Sequence, residues 1–233
     1  MKKEAQQPFT MDTHVHVDEH VDYHLLPQVL RAKKLDGAGL VTHNNFSFAT
    51  KVCKMLHEKD RKKVYLNGVE IDTSQGHLVA FGIDREIPPY RSPEETIELV
   101  HELGGIAIIP HPFMAHNSFG KKARMLKADA LEFLNGFAKI FLNTPNFMAQ
   151  TAFRYNDFAE LGGSDAHYVF AVGSCYSQMD VESPLTEDTI LEAIRKQKTK
   201  AIKSPLDKND IINFVRIIFG KKEEGRHLVK FLE

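Results

Sequence analysis

Short apolar runs alternate along the chain with stretches in which apolar residues recur at helical spacing. The runs cover Phe9 to Val17, 37–43, 64–71, 105–111, 128–135, 158–165 and a last one near 171–177, and they predict seven principal strands. Between them, 25–36 reads as a helix with Pro27 in its first turn, where a missing N–H is tolerated. Residues 48–60 read as another. Ser92-Pro93-Glu94-Glu95 opens a helix carrying Ile97, Val100 and Leu103, with Ser92 as N-cap and Gly104-Gly105 as the stop. Thr186 opens a further helix over 187–198. The run 77–84 follows 64–71 too closely for a helix to intervene, so it reads as an antiparallel hairpin partner. Such alternation implies parallel strands covered by helices, in a closed barrel or an open wound sheet. The domain is expected over 8–205. A short helical tail over 206–233, with Ile211, Ile212, Val215, Ile218 and Phe219, is expected to pack on it.

Composition narrows the function classes. A length of 233 residues suits one sizeable domain. The formal charge of -1 gives no global attraction for nucleic acid or anionic membranes. The N-terminal MKKEAQQPFT lacks the apolar core of a signal peptide, and no run approaches the roughly 20 apolar residues of a membrane span, so a cytoplasmic protein is expected. Cys53 and Cys175 stand in unrelated contexts and read as small buried hydrophobes, not as a disulfide or a thiolate metal site.

The chemistry lies in the twelve histidines. In MDTHVHV, strand alternation points His14 and His16 the same way, about 7 Å apart, with Asp12 behind them and Val15 and Val17 on the opposite face. One HxH is weak evidence for a metal. However, His43 closes the second run, Glu70 the third, His111 the fourth, and Asp165 with His167 the sixth, while His77 opens the hairpin partner. Parallel α/β folds gather their active sites at the carboxyl ends of strands. Imidazoles and carboxylates without thiolates suit Zn, Mn or Fe. Glu70 or Asp165 could bridge two ions, and paired ions hydrolyse phosphoesters or amides.

Taken in order, DTHVH (12–16), THNNF (42–46), GVEID (68–72), GHLVAFGID (76–84), HPF (111–113), DALEFLNG (129–136) and GGSDAH with the following VG (162–173) resemble the successive motifs of the PHP (polymerase and histidinol phosphatase) domain family. The resemblance covers about residues 8 to 203. It implies a distorted seven-stranded (β/α) barrel holding two or three divalent ions, Mn, Fe or Zn. It also implies hydrolysis of a phosphoester by a metal-bridging hydroxide. His14, His16 and Asp165 would hold the first ion, and Glu70 would bridge it to a second completed by His77 and His111. His167 would belong to a third. The family's TDHN is replaced here by Thr42-His43-Asn44-Asn45, so either His43 or Asn44 fills the ligand position. In the loop VDEHVDYH the spacing to Pro27 favours Asp22 or His20 as a further ligand over Asp18 and His24.

Phosphate needs cations, and MAHNSFGKKARM offers His116, Lys121, Lys122 and Arg124. Arg124 is preferred for its bidentate geometry, with Lys121 beside it. His57 and His101 lie in helical patterns and read as surface or packing residues. The expected substrate is a small phosphomonoester, a nucleotide or a short oligonucleotide. The neutral charge, and a pattern showing no aromatic stacking platform, argue against long nucleic acid. Two other classes compete: an amidohydrolase-type C–N hydrolase, which would use a bridging lysine, and a non-catalytic regulatory PHP domain, which would have lost ligands.

Overall fold

The computed structural model describes residues 7–205. Ten strands form one sheet: β1 Phe9–His20, β2 Gly37–Val41, β3 Val64–Asp72, β4 His77–Phe81, β5 Ile106–Ile109, β6 Ala130–Asn135, β7 Ala159–Gly163, β8 Ala166–Tyr168, β9 Cys175–Met179 and β10 Thr199–Lys203. Their order is β10-β9-β1-β2-β3-β4-β5-β6-β7, with β8 pairing beside β1. The pairs β1–β2, β2–β3, β5–β6 and β6–β7 are parallel. β4 runs antiparallel to β3 and β5, as the short 64–84 spacing predicts. β7 curls back against β1, β9 and β10, so the sheet is a nearly closed, distorted barrel. Side chains finish the closure: Thr13 Oγ1 donates to the Gly162 carbonyl at 3.1 Å, and Gly162 N–H donates to Ser177 Oγ at 2.9 Å.

Among the described residues five helices cover the outside: α1 Leu26–Ala32, α2 Phe46–Lys59, α3 Pro93–Glu102, α4 Thr144–Ala152 and α5 Glu187–Arg195. Their starts are chemically marked. Asn45 caps α2, and Ser92 and Thr186 form reciprocal capping boxes with Glu95 and Thr189. Ile190, Leu191 and Ile194 of α5 join Phe9, Met11, Leu66, Phe81, Ile106 and Ala159 in one buried cluster. Many of these partners lie at strand beginnings, so α5 plugs the end of the barrel where the parallel strands start. The Phe81 ring fills the interior, and Gly39 and Gly68 make room for it: a Cβ there would lie 2.6 and 2.4 Å from the ring.

The ten strands are the seven principal strands and one hairpin partner expected, together with β8 and β10, which are short. β8 has three residues, and TKAIK in β10 reads as a polar linker until β9 supplies its partner. α4 was also unforeseen, since its nine residues carry little periodic contrast. The tail expected over 206–233 lies outside the described residues.

Candidate metal centre

β1 carries the decisive local feature. Its register against β2 shifts between Asp12 and Val15, so one extra residue enters the strand. Such a bulge inverts the alternation of faces. Phe9 and Met11 therefore lie in the interior cluster, and beyond the bulge His14 and His16, of the opposite parity, turn into the same space. Val15 and Val17 pack outward with Leu26, Leu30 and Val52. Asp12 takes no part in the imidazole cluster. Its Oδ1 accepts from His14 N–H and Ser164 N–H at 3.2 and 2.9 Å, and its Oδ2 accepts from Gly173 N–H at 2.7 Å. It thus ties β1 to the loops flanking β8.

Glu70, 1% exposed, lies at the middle of the cluster. Its Oε1 is 3.0 Å from His77 Nδ1, 3.1 Å from His111 Nε2 and 3.7 Å from His14 Nε2. Its Oε2 is 3.3 Å from both His16 Nε2 and His43 Nδ1. Asp165 Oδ1 approaches His14 and His16 Nε2 at 3.6 and 3.4 Å, and His167 Nδ1 at 3.7 Å. His16 stacks between His43 and His167, with ring centroids 4.5 and 4.2 Å away. Thus His14, His16, His43, Glu70, His77, His111, Asp165 and His167 come together from six strand ends. Asp165 and His111 hold positive φ values of 54° and 30°, a strained backbone of the kind concentrated at functional sites.

Three overlapping sets have ligand atoms mutually within 4.8 Å: His14, His16, Glu70; His43, Glu70, His77; and His16, His43, His167. The chemistry of these donors fits bound cations. His14 Nδ1 is 2.8 Å from Glu132 Oε1, which favours the proton on that nitrogen and leaves the Nε2 lone pair facing His16 Nε2 at 3.1 Å. Two imidazole nitrogens that close, beside two carboxylates, form a donor set for a divalent ion. His77 repeats the device, with Nε2 2.9 Å from Asp72 Oδ1.

Electrostatics describe the same site without ions. Burial pulls the His14 pKa down, but Glu132, Asp165 and Glu70 outweigh it and raise it well above 6.5. For His16, hydrogen bonds with Asp165, Asp18 and Glu70 overcome burial and hold it at about 10. Burial works against ionisation of Glu70, yet the surrounding histidines hold its carboxyl well below the ordinary range. Asp165 is likewise lowered, by His14 and His16 acting against burial. At the rim, burial lowers His43 and His167 and favours neutral rings.

Some expected residues lie elsewhere. Asp22 is exposed and caps the 3-10 turn Tyr23–Leu25, accepting from His24 N–H at 3.1 Å. The carboxylate of that stretch at the cluster is Asp18, near the end of β1, which accepts from His43 N–H at 2.6 Å and lies 3.4 Å from His16 Nδ1. The described structure includes the backbone of His20 in β1 but not its side-chain environment. Arg124 directs its guanidinium to the Ala152 carbonyl and over the Phe153 ring, contacts that brace α4. Lys121 is exposed on the same 3-10 turn. His43, not Asn44, faces Glu70. Asn44 instead exchanges two 2.8 Å hydrogen bonds with Asp72, through its Nδ2 to Oδ2 and from Asp72 N–H to its Oδ1. Glu132 and Asn135, in the quoted DALEFLNG, were not singled out, although Glu132 holds both His14 and the His111 N–H.

Residues 143–199 match a family model described as PHP-associated. A protein from Bifidobacterium adolescentis assigned as a metal-dependent phosphoesterase superposes with TM-score 0.55 at 16% identity, covering 79% of this chain and 95% of that one. The chain shares the fold of that protein, and its C-terminal stretch resembles the PHP-associated family. The fold also resembles that of PsfC from Pseudomonas syringae, with TM-score 0.65 at 15% identity over 92% of this chain and 98% of that one. The lesion-specific endonuclease EndoQ from Pyrococcus furiosus matches with TM-score 0.54 at 16% identity, over 89% of this chain and 66% of that one. Among curated relatives, the uncharacterized protein MJ1587 of Methanocaldococcus jannaschii is 31% identical over 111 residues, 47% of this chain and 64% of that protein. A second uncharacterized protein of that organism, MJ0417, is 27% identical over 157 residues, 59% of this chain and 66% of that protein. The matches thus span slightly under two thirds of these relatives' length.

Proposed function

We propose that the chain is a PHP-type metal-dependent phosphoesterase acting on a small phosphorylated substrate. The observation that carries the reading is Glu70, whose two carboxylate oxygens each face a different set of imidazoles. A carboxylate so placed suits the link between adjacent divalent ions. His14, His16, Asp165 and Glu70 would hold one ion, with His77, His111 and Glu70 holding the next. His43 and His167 lie at the rim, 32% and 31% exposed, and would hold a further one where substrate enters. Bound divalent ions supply charge against a phosphoryl group and lower the pKa of water.

The protein's own part is to fix these donors. Glu132 orients the His14 ring, Asp72 orients His77, and Asp18 holds the His43 backbone against the cluster. A carboxylate, rather than a lysine, at the bridging position favours phosphoester over amide hydrolysis. Purification without chelators followed by elemental analysis should find at least two ions per chain, and a folded, metal-free protein would overturn the reading. In a phosphate-release screen with Mn²⁺, phosphoesters should turn over, and Glu70→Gln should abolish that turnover while the circular dichroism stays native. Amine or ammonia release from amides, with no phosphate release from any phosphoester, would assign the chain to C–N hydrolysis instead.

A further inference from the structure

One side of the centre is aromatic. After β6, Gly136 donates to the Gly163 carbonyl at 2.9 Å and leads into the 3-10 turn Phe137–Phe141. A side chain at 136 could not fit, since a Cβ would lie 2.0 Å from Ser174 Oγ. This close approach sets the Phe137 ring beside the ligands, with its centroid 6.3 Å from that of His167, which itself stacks on His16. Phe141 meets Phe137 edge to face at 6.5 Å. The two rings remain 42% and 45% exposed. The turn ends on Leu142 and Asn143, both left-handed at φ 52° and 59°, so its course is held by tertiary packing and not by local preference. The pair was invisible as a platform in the sequence because its rings stand four residues apart in a turn, not on a sheet face.

A phosphate has no apolar surface to cover exposed phenyl rings beside so polar a cluster and a small furanose offers only a narrow C–H face, whereas a planar ring covers them fully. We propose that Phe137, with Phe141 at its edge, is the subsite for a planar ring carried by the substrate, so that the preferred substrates are phosphoesters of a nucleoside or an aryl alcohol. The inference rests on the phosphoesterase reading for the position of the phosphate.

Its test is calorimetric binding to the Mn²⁺-loaded protein of adenosine monophosphate, phenyl phosphate, ribose 5-phosphate and inorganic phosphate, for the native chain, Phe137→Ala and Phe137→Leu. The native chain should prefer at least one ring-bearing ligand to ribose 5-phosphate. Both substitutions should reduce that preference by about 5- to 100-fold, the range for loss of one stacking contact. A preference for adenosine monophosphate assigns the ring to a nucleobase, and one for phenyl phosphate to an aryl group. No ring preference, an equal loss for all four ligands, or full preference retained by Phe137→Leu would overturn the proposal. Ring preference without hydrolysis of any phosphoester would sink the catalytic reading while leaving this subsite standing. Hydrolysis without ring preference would do the reverse.

Discussion

Asp12 lies two residues before a metal-ligand candidate yet serves the backbone, its carboxylate accepting from three N–H groups on two chain segments. All three donors would be stranded by Asp12→Ala, so the substitution should cost about 3 kcal/mol or more, read from urea denaturation. Asp72 acts on a ring instead. Asp72→Ala frees His77 Nε2 and releases Asn44, and it should weaken metal affinity about 10- to 100-fold with little loss of stability; competition with a chelator measures this. At this scale the clustered side chains were legible and their supports were not. Imidazoles and carboxylates at successive strand ends announce themselves by type and place. Glu132 reaches His14 across 118 residues, and Asn44 and Asp72 across 28, so only the folded chain reveals these pairings. Asp18 was passed over for Asp22 because spacing to Pro27 cannot show which carboxylate is spent on a cap.

Among the elements, β1 explains why HxH works here. Plain alternation placed Asp12, His14 and His16 on one face, but the bulge gives Asp12 a separate task and turns the imidazoles into the barrel. The last residue of β7 shows how tightly neighbouring strands are fitted. A Cβ on Gly163 would lie 2.5 Å from Glu132 Oε1 and 2.6 Å from His14 Cβ. Gly163→Ala should therefore push the Glu132–His14 pair apart, destabilise the protein by about 1–3 kcal/mol and lower its metal content, as thermal melts and elemental analysis would show. Strong helices with caps, such as α3, were readable from Ser92 onward. Strands that exist only by pairing, β8 and β10, were not.

For the whole molecule, the centre is a balance of buried charges. Without ions, carboxylates hold His14, His16 and His111 above their ordinary value of 6.5, although burial pulls each down. The stability these imidazolium rings contribute is complete below pH 6.5 and is lost as pH rises, for His16 through about 10. Glu70 and Asp165 are depressed, so their contribution is present above their ordinary values of 4.5 and 3.8 and is lost as pH falls below them. The stability these five groups contribute to the chelated protein is thus greatest between about pH 4.5 and 6.5. It is partly offset there by His43 and His167, which burial keeps neutral, and by buried Asp12, whose carboxyl is raised to about 6; melts across pH measure the balance. Ions must displace the protons held by these rings, so apparent metal affinity should rise with pH. Calorimetry in buffers of different ionisation enthalpy should detect released protons, and none released would contradict this balance.

β1 lies between β2 on one side and β9 with β8 on the other. On the ribosome, His14 and His16 emerge about 150 residues before Ser164 and its neighbour Asp165, the spacing bridged by the Ser164 hydroxyl at the His14 carbonyl. A nascent chain therefore displays isolated histidines long before it owns a binding site. Metal acquisition would wait for completion of the barrel, and the ion taken would be one the cell then offers.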